Sequence, residues 1–200
     1  MEIKGSHISV GGALKVEGNI EVDEVEVGGA AKVEGSMKAK KVEVGGVLKV
    51  DRDASVEDRL KVGGAVKVGG ELKAGVVEVG GALKADACFA DKLEVGGKVE
   101  TRRGLRVKTF EIGRKGEAVG PIVAESVKIG RGASVEDIYA NWLELGEDSS
   151  ARNVYAREAC LKEGCRVTGE LLYVDKLELG RNVKTYSEPR KVEKLPEPPI

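Results

Sequence analysis

The chain has 200 residues, with 33 basic and 34 acidic side chains, 28 glycines and three cysteines. A net charge of -1 predicts no field that would draw it to nucleic acid or to an anionic membrane, and three cysteines are too few for a disulfide scaffold. No transmembrane span or signal peptide is recognisable, so we expect a cytoplasmic protein without direct membrane insertion. The charged, valine-rich composition is typical of a thermophile.

A hydrophobic residue followed by glycine returns about every 17 residues along nearly the whole chain. A short fixed period over eleven copies predicts a solenoid, in which each copy is one turn that touches only its neighbours. One copy, at Leu161, has lost its glycine. The others are Val10-Gly11, Val27-Gly28, Val44-Gly45, Val62-Gly63, Val79-Gly80, Val95-Gly96, Ile112-Gly113, Ile129-Gly130, Leu145-Gly146 and Leu179-Gly180.

Each copy reads as three short strands, because apolar and charged residues alternate in it, as in Leu14-Lys15-Val16. The second buried residue of each strand recurs at steps of six, six and five, starting from Val10, Val16, Val22 and Val27. The pattern predicts an all-β, single-domain parallel β-helix of about eleven turns, with Gly-Gly at one corner of each turn. Turns of 16 or 18 residues, such as the one from Val44 to Val62, are interpreted as length changes at corners.

Three segments follow from this pattern. Residues 1–7 are predicted to be an N-terminal lead-in, residues 8–186 the β-helix, and residues 187–200 a tail that holds four of the five prolines. Proline cannot donate to a strand ladder, so the solenoid is expected to stop before the tail, which is predicted to be extended and flexible.

Stacking of turns also aligns the outward side chains into columns. One column is mostly glutamate, including Glu26 and Glu43, and another begins Lys15, Lys32, Lys49. Diagonal lysine partners, such as Lys41 near Glu43 and Lys92 near Glu94, are expected to offset the like-charge repulsion. Two interpretations stay open: a solvated surface, or charge stripes that align neighbouring rods.

A further outward column becomes aromatic toward the C-terminus. It is predicted to run Phe89, Arg106, Val123, Tyr139, Tyr155, Tyr173, with Trp142 in the same region. The aromatic residues either stiffen the sheet or form a docking stripe for the proline-rich tail or a partner protein. The residues of that lateral or tail-docking stripe are Tyr139, Trp142, Tyr155 and Tyr173.

Candidates for chemistry are few. His7 is the single histidine and is interpreted as a surface residue, since a trimeric zinc site would need three chains to meet at it. Cys88 and Cys165 are predicted to point inward and Cys160 outward, without metal-ligand spacing. We expect no catalytic, cofactor-binding or metal site. The enzymatic alternative is a hexapeptide-repeat acyltransferase or a carbonic anhydrase of that fold, although those helices hold to 18 residues per turn.

The repeat length, the three strands per turn and the proline-rich tail resemble the bactofilins, a family of polymer-forming cytoskeletal proteins, over about residues 8–186. The resemblance implies a right-handed helix and nucleotide-independent assembly into nonpolar filaments. It also implies a structural role without catalysis.

The ends of a β-helix lead to the same expectation by another route, because each leaves unpaired backbone groups and an apolar cross-section. End-to-end self-assembly would bury both ends. The predicted axial interface consists of Ile8, Val10, Leu14 and Val16 at one end, and Leu177, Leu179 and Val183 at the other. The alternative in another class is a non-polymerising scaffold that binds a partner along the aromatic stripe.

Overall fold

Alternating apolar and charged residues give short strands that stack into a parallel β-solenoid. The computed structural model describes residues 2–200, with side chains from Lys4 onward, and within that range the chain has nineteen strands in about 11 turns and no helix. The strands are β1 (Glu2–Val10), β2 (Leu14–Val16), β3 (Asn19–Val27), β4 (Ala30–Val33), β5 (Met37–Val44), β6 (Val47–Val50), β7 (Ala54–Val62), β8 (Ala65–Val68), β9 (Glu71–Val79), β10 (Ala82–Val95), β11 (Lys98–Ile112), β12 (Glu117–Val119), β13 (Ile122–Ile129), β14 (Ser134–Leu145), β15 (Ser150–Leu161), β16 (Arg166–Val167), β17 (Leu171–Leu179), β18 (Lys184–Thr185) and β19 (Arg190–Lys191).

Each turn has three faces, which we name in chain order. In the second turn, face A is residues 20–22, face B is residues 25–27 and face C is residues 31–33, and the equivalent positions in other turns keep these names. The first and third residue of each face point inward, so that Ile20 and Val22, for example, are 2% and 5% exposed. Strands such as β3 run on through the corner between faces A and B. The predicted steps of six, six and five are therefore confirmed.

Parallel pairing holds equivalent residues one above another. Val25 pairs with Val42, and Val42 pairs with Leu60. The core is a single continuous column of Val, Leu, Ile and Ala side chains, with Phe110 as its one phenylalanine. Because each strand position is buried by the turns above and below it, the core has no boundary between domains along the rod.

The irregular turn lengths lie at corners, as predicted. The 18-residue turn ending at Val62 gains its extra residue between Val56 and Arg59, at the corner from face A to face B. The 16-residue step that leads to Val95 is accompanied by a register shift between Ala85 and Ala87, at the corner from face C to face A. Strand pairing resumes in register after each shift, so the length changes leave the solenoid uninterrupted.

The first strand begins earlier than the lead-in of residues 1–7 would allow. β1 starts at Glu2, which pairs with Asn19, and Gly5 pairs with Val22, so residues 3–5 form face A of the first turn. The polar residues from Lys4 to His7 lack the apolar-charged alternation by which the other strands are predicted. Its hydrogen bonds come from the backbone of the second turn, whatever side chains it carries.

The solenoid does not stop before residue 187 as predicted, because the proline-rich tail adds a short strand to it. β19 pairs with β17, and the Val192 amide donates a hydrogen bond of 2.8 Å to the Tyr173 carbonyl. The chain then folds back along the outside of the rod, and Ile200 reaches the backbone at Gly104. The aromatic column gives the tail an apolar surface to pack on. No helix in the described part of the chain has the length and apolarity to cross a membrane.

Candidate functional site

The N-terminal end of the rod is open. Among the described residues, β1 pairs only with β3 and β2 only with β4, so the outer edge of the first turn has unpaired backbone groups. Ile8, Val10 and Leu14 are half-buried there, whereas Val25 and Val27, one turn further on, are 2% and 1% exposed. Three of the four predicted N-terminal interface residues therefore present apolar surface at the end of the rod.

Val16, the fourth of them, does not. It is only 1% exposed. The solenoid rises continuously, so a residue late in the first turn lies deeper than Ile8 or Val10, which come earlier in it. Val16 is part of the core rather than of the N-terminal end surface.

The C-terminal end is open on two of its three faces. Leu179 on face B is 49% exposed, although its equivalents Leu145 and Leu161 are 0% and 1% exposed. Leu177 and Val183 are half-buried and pack against the core. Face A is different, because β19 covers the edge of β17 at Leu172 and Tyr173.

Tyr139 and Tyr155 of the predicted stripe form a stacked pair on the outside of face A. Their ring centroids are 4.8 Å apart, and the Tyr155 hydroxyl donates a hydrogen bond of 3.1 Å to Glu170 Oε2. Tyr155 points outward between the inward residues Val154 and Ala156, yet it is only 9% exposed. Its outer side is therefore covered. Burial and the Glu170 carboxylate raise the pKa of Tyr155 to about 12, and burial raises the pKa of Tyr139.

Tyr173 does not belong to this column, and its predicted place was wrong. Tyr155 pairs with Leu172, whereas Tyr173 pairs with Ala156, an inward residue. The extra residue of this 18-residue turn lies after Tyr173, in the shift that sets Glu158 opposite Lys176. Tyr173 therefore stands at an inward position and packs half-buried against the last layer of the core.

Trp142 lies apart from the two stacked tyrosines. It lies one residue before face B (Leu143–Leu145), pairs with Ser126 and Glu158, and is 39% exposed. The tail instead packs beside Tyr139, where a cavity of about 470 Å³ separates the rod from the tail residues. Those tail residues are Leu195, Pro196 and Pro198. The stripe is thus a tail-docking surface at Tyr139, and Trp142 remains open to solvent.

Several residues that hold the tail carried no sequence signal. Arg190 Nη2 lies 2.9 Å from Glu170 Oε1, and the Ser187 hydroxyl donates a hydrogen bond of 2.9 Å to the Gly169 carbonyl. Glu170 thus accepts hydrogen bonds from both Tyr155 and Arg190. Its partners are 15 and 20 residues away, which is not a spacing that a sequence pattern reveals.

The charge columns are balanced within the rod. Glu26 stacks on Glu43 as predicted, and Lys61 then comes within 3.5 Å of Glu43. The predicted pair of Lys92 and Glu94 is present at 2.5 Å, while Lys41 bonds Glu24 in the preceding turn at 2.8 Å. The Lys61–Glu43 and Lys41–Glu24 pairs join turns of one rod and the Lys92–Glu94 pair lies within one strand, which favours the solvated-surface interpretation.

The lysine column is paired with glutamates in the same way, and the pairing shifts the pKa values of both. Lys15 and Lys32 both lie beside Glu34, at 3.3 Å and 2.8 Å. The hydrogen bonds from Lys32 and Lys15 lower the pKa of Glu34, and Glu17 and Glu34 raise the pKa of Lys15. All four groups are exposed or half-exposed, so each pair contributes little to stability.

The histidine and the cysteines lie apart from one another. His7 Nδ1 is 3.3 Å from Glu24 Oε2 on the surface of the first turns. Cys88 and Cys165 are buried, as predicted, and burial raises the pKa of both thiols, to about 12 for Cys88. Cys160 is the half-buried outward one. Among the described side chains, no group of three or more His, Cys, Asp or Glu is placed to hold a metal ion.

Comparison with known proteins returned no relative: no protein-family model, no curated protein and no solved structure matches this chain.

Proposed function

We propose that this chain is a structural, non-enzymatic protein that assembles end to end through the open ends of its β-helix, without nucleotide, in the manner of bactofilins. The observation that carries the proposal is the contrast at Leu179, which is 49% exposed where its equivalents one and two turns earlier are buried. Burying such a side chain is worth about 2 kcal/mol.

Both ends combine apolar side chains with unpaired strand edges. The N-terminal end offers Ile8, Val10 and Leu14, and the C-terminal end offers Leu177, Leu179 and Val183. An exposed strand edge is a template for pairing with another chain, and charged or proline-rich cover at such an edge is the usual protection against it. The edge of β1 has no cover from the described residues, since β3 is its one strand partner.

Charge substitution at an end tests the proposal. Leu179→Glu should shift sedimentation from oligomers to monomers and remove rods longer than one chain from negative-stain images. Its matched control is Val47→Glu, because Val47 is 47% exposed but lies in the third turn, away from both ends of the rod. Assembly that survives Leu179→Glu and also Leu14→Glu, or a wild-type chain that stays monomeric at all concentrations, would overturn the proposal.

The partner-binding alternative has less support. Tyr155 is 9% exposed, and Tyr139 lines the cavity that Leu195 and Pro196 of the same chain close. A partner protein on this stripe would first have to displace the tail. Trp142 is the residue of the predicted stripe that is most open to solvent.

A further inference from the structure

The solenoid between Glu2 and Ser187 contains a whole number of turns. It begins with face A at residues 3–5 and ends with face C at residues 185–187, after about 11 turns. β19 then adds one more strand to face A. The first strand and the last strand of the chain therefore lie on the same face, and the chain carries one third of a turn more than a whole number.

This surplus strand is lightly held. Arg190 and Lys191 pair with Leu172 and Tyr173, and both of their side chains are exposed. The amide of Val192 adds one hydrogen bond, to the Tyr173 carbonyl. An exposed ion pair of 2.9 Å between Arg190 and Glu170 also holds this two-residue strand.

We propose that the edge of β17 at Leu171–Tyr173 is the docking site for β1 of a second copy, joined head to tail, and that β19 occupies this site in the free chain. The inference rests on the proposed end-to-end assembly, but a head-to-tail joint gives a polar filament, unlike the nonpolar filaments that the resemblance to bactofilins implies. With β19 displaced, face C of one copy is followed by face A of the next, as in every turn of the rod. Leu177 and Leu179 would then lie under Ile8 and Val10 of the second copy.

The corner glycines provide an independent observation. A Cβ at Gly28 would lie 2.6 Å from the Gly11 carbonyl oxygen, and a Cβ at Gly29 would lie 2.6 Å from that of Gly12, so glycine is needed where the preceding turn approaches closely. At Gly11 and Gly12 a Cβ would meet nothing within 4 Å. Neither residue has a positive φ.

Nothing inside one chain therefore requires glycine at residues 11 and 12. A preceding turn supplied by the C-terminal end of another copy would require it at residue 11, because the Gly180 carbonyl would lie against Gly11 as the Gly11 carbonyl lies against Gly28. Each corner Cβ points toward the preceding turn, so glycine at residue 11 is required only by a turn that precedes it in the stack. It therefore favours a head-to-tail joint over one between two N-terminal ends.

Side-chain size at the joint agrees with this direction. Tyr173 stands at the third position of face A, where earlier turns carry small residues such as Ala140 and Ala156. Gly5 occupies the same position at the other end of the rod, and a Cβ built there would meet only Val22, at 4.0 Å. In a head-to-tail joint the bulky Tyr173 ring faces the one residue of this column that has no side chain.

Cross-linking between two single-cysteine chains tests the proposal. Residues 9 and 178 are both central outward residues of face B, so the joint would stack Ser9 of one copy on Glu178 of the next, within disulfide reach. Ser9→Cys and Glu178→Cys are made in separate full-length chains, each with Cys160→Ser. Oxidation of their mixture should give the mixed dimer, and each chain alone should give none.

Loosening β19 should increase this product. Val192→Pro removes the amide that bonds Tyr173, and loss of one hydrogen bond should lower the half-assembly concentration about tenfold. Gly11→Ala in the same background should abolish cross-linking and leave the midpoint of urea unfolding unchanged. Disulfides between two Ser9→Cys chains would show an N-terminal joint and overturn this inference while keeping end-to-end assembly. Monomers in every variant would overturn both.

Discussion

The two halves of the rod turn the same corner in two different ways. Up to Gly96-Gly97, the corner after face B is a glycine pair whose amides donate back to the preceding turn, as Gly28 does to the Val10 carbonyl at 2.9 Å. From Gly113 onward one corner residue per turn takes a positive φ and donates forward, as Lys115 does to Arg131 at 2.9 Å. The residues with positive φ at these corners are Lys115, Gly132, Asp148, Gly164 and Asn182.

Three residues, such as 28–30, join faces B and C in the first half, whereas five residues, such as 113–117 between Ile112 and Ala118, join them in the second, so the corner is longer there. In the first half glycine is needed for space, because a carbonyl of the preceding turn lies where a Cβ would be. In the second half the residue directly after face B is still crowded, since a Cβ at Gly130 would lie 2.6 Å from the Gly113 carbonyl, but a later residue of the longer corner adopts the left-handed region. A column of glycines can therefore have either of two physical causes, and substitution distinguishes them.

The core should respond equally in the two halves. Leu60 and Leu143 occupy the same position of face B and are both 0% exposed. We expect Leu60→Ala and Leu143→Ala each to lower the free energy of unfolding by about 3 kcal/mol, since both leave a cavity that neighbouring turns cannot fill. Urea unfolding followed by circular dichroism measures this. A difference of more than about 1.5 kcal/mol would place the contrast between the halves in the core instead of the corners.

Gly46→Ala should break a corner of the first half. Its Cβ would lie 2.7 Å from the carbonyl oxygen of Gly29, which is backbone and cannot rotate away, so we expect a loss of about 2–3 kcal/mol in the free energy of unfolding. Counted from the end of face B, the same position of the second half is Arg131, which lies in the longer corner and already carries a side chain. Arg131→Ala is the matched control and should lose at most about 1 kcal/mol, from its exposed ion pairs with Glu147 and Asp148.

Gly132→Ala should show the effect of the left-handed backbone conformation by itself. The nearest atom to its Cβ would be Lys115 Cγ at 3.6 Å, an ordinary contact, but its φ is +67°. We expect a loss of about 1–2 kcal/mol in the free energy of unfolding from the left-handed conformation. Gly132→Asn should lose less, since Asn tolerates this region. Equal losses for the two substitutions would argue against a φ effect.

The outer surface of face A separates the halves too. Lys38, Ser55 and Lys73 are exposed in the first half, whereas Tyr155 is covered in the second. Tyr155→Phe removes the hydrogen bond to Glu170 and should lower the free energy of unfolding at pH 7 by about 1 kcal/mol.

The pH dependence of the same variant gives a second measurement. The pKa of Tyr155 is raised to about 12 in the folded chain, so its contribution is fully present below the ordinary tyrosine pKa and is lost as pH rises through about 12. The difference between wild type and Tyr155→Phe should therefore shrink between pH 10 and 12. Tyr186→Phe, at an 88% exposed residue, serves as control. A difference that is constant with pH would contradict a covered Tyr155.

Most of the fold follows from the sequence. The apolar-charged alternation sets three strands per turn, and the glycine marks set the turn length, because every turn must bury the same two side chains on each face. These are local rules repeated along the chain, so a short period was enough to predict the solenoid, its corners, and the inward positions of Cys88 and Cys165.

The features decided only by the tertiary structure are those that join distant or irregular segments. The extra residue of the turn that contains Tyr173 could lie before or after Tyr173. Strand pairing with β15 places it after Tyr173, so the ring points inward and does not join the outward stripe. The strand from Glu2, the return of the tail to Tyr139 and the coverage of β17 by β19 depend on backbone partners and surfaces that exist only once the turns are stacked. The repeat thus specified the body of the rod, while packing decided its two ends.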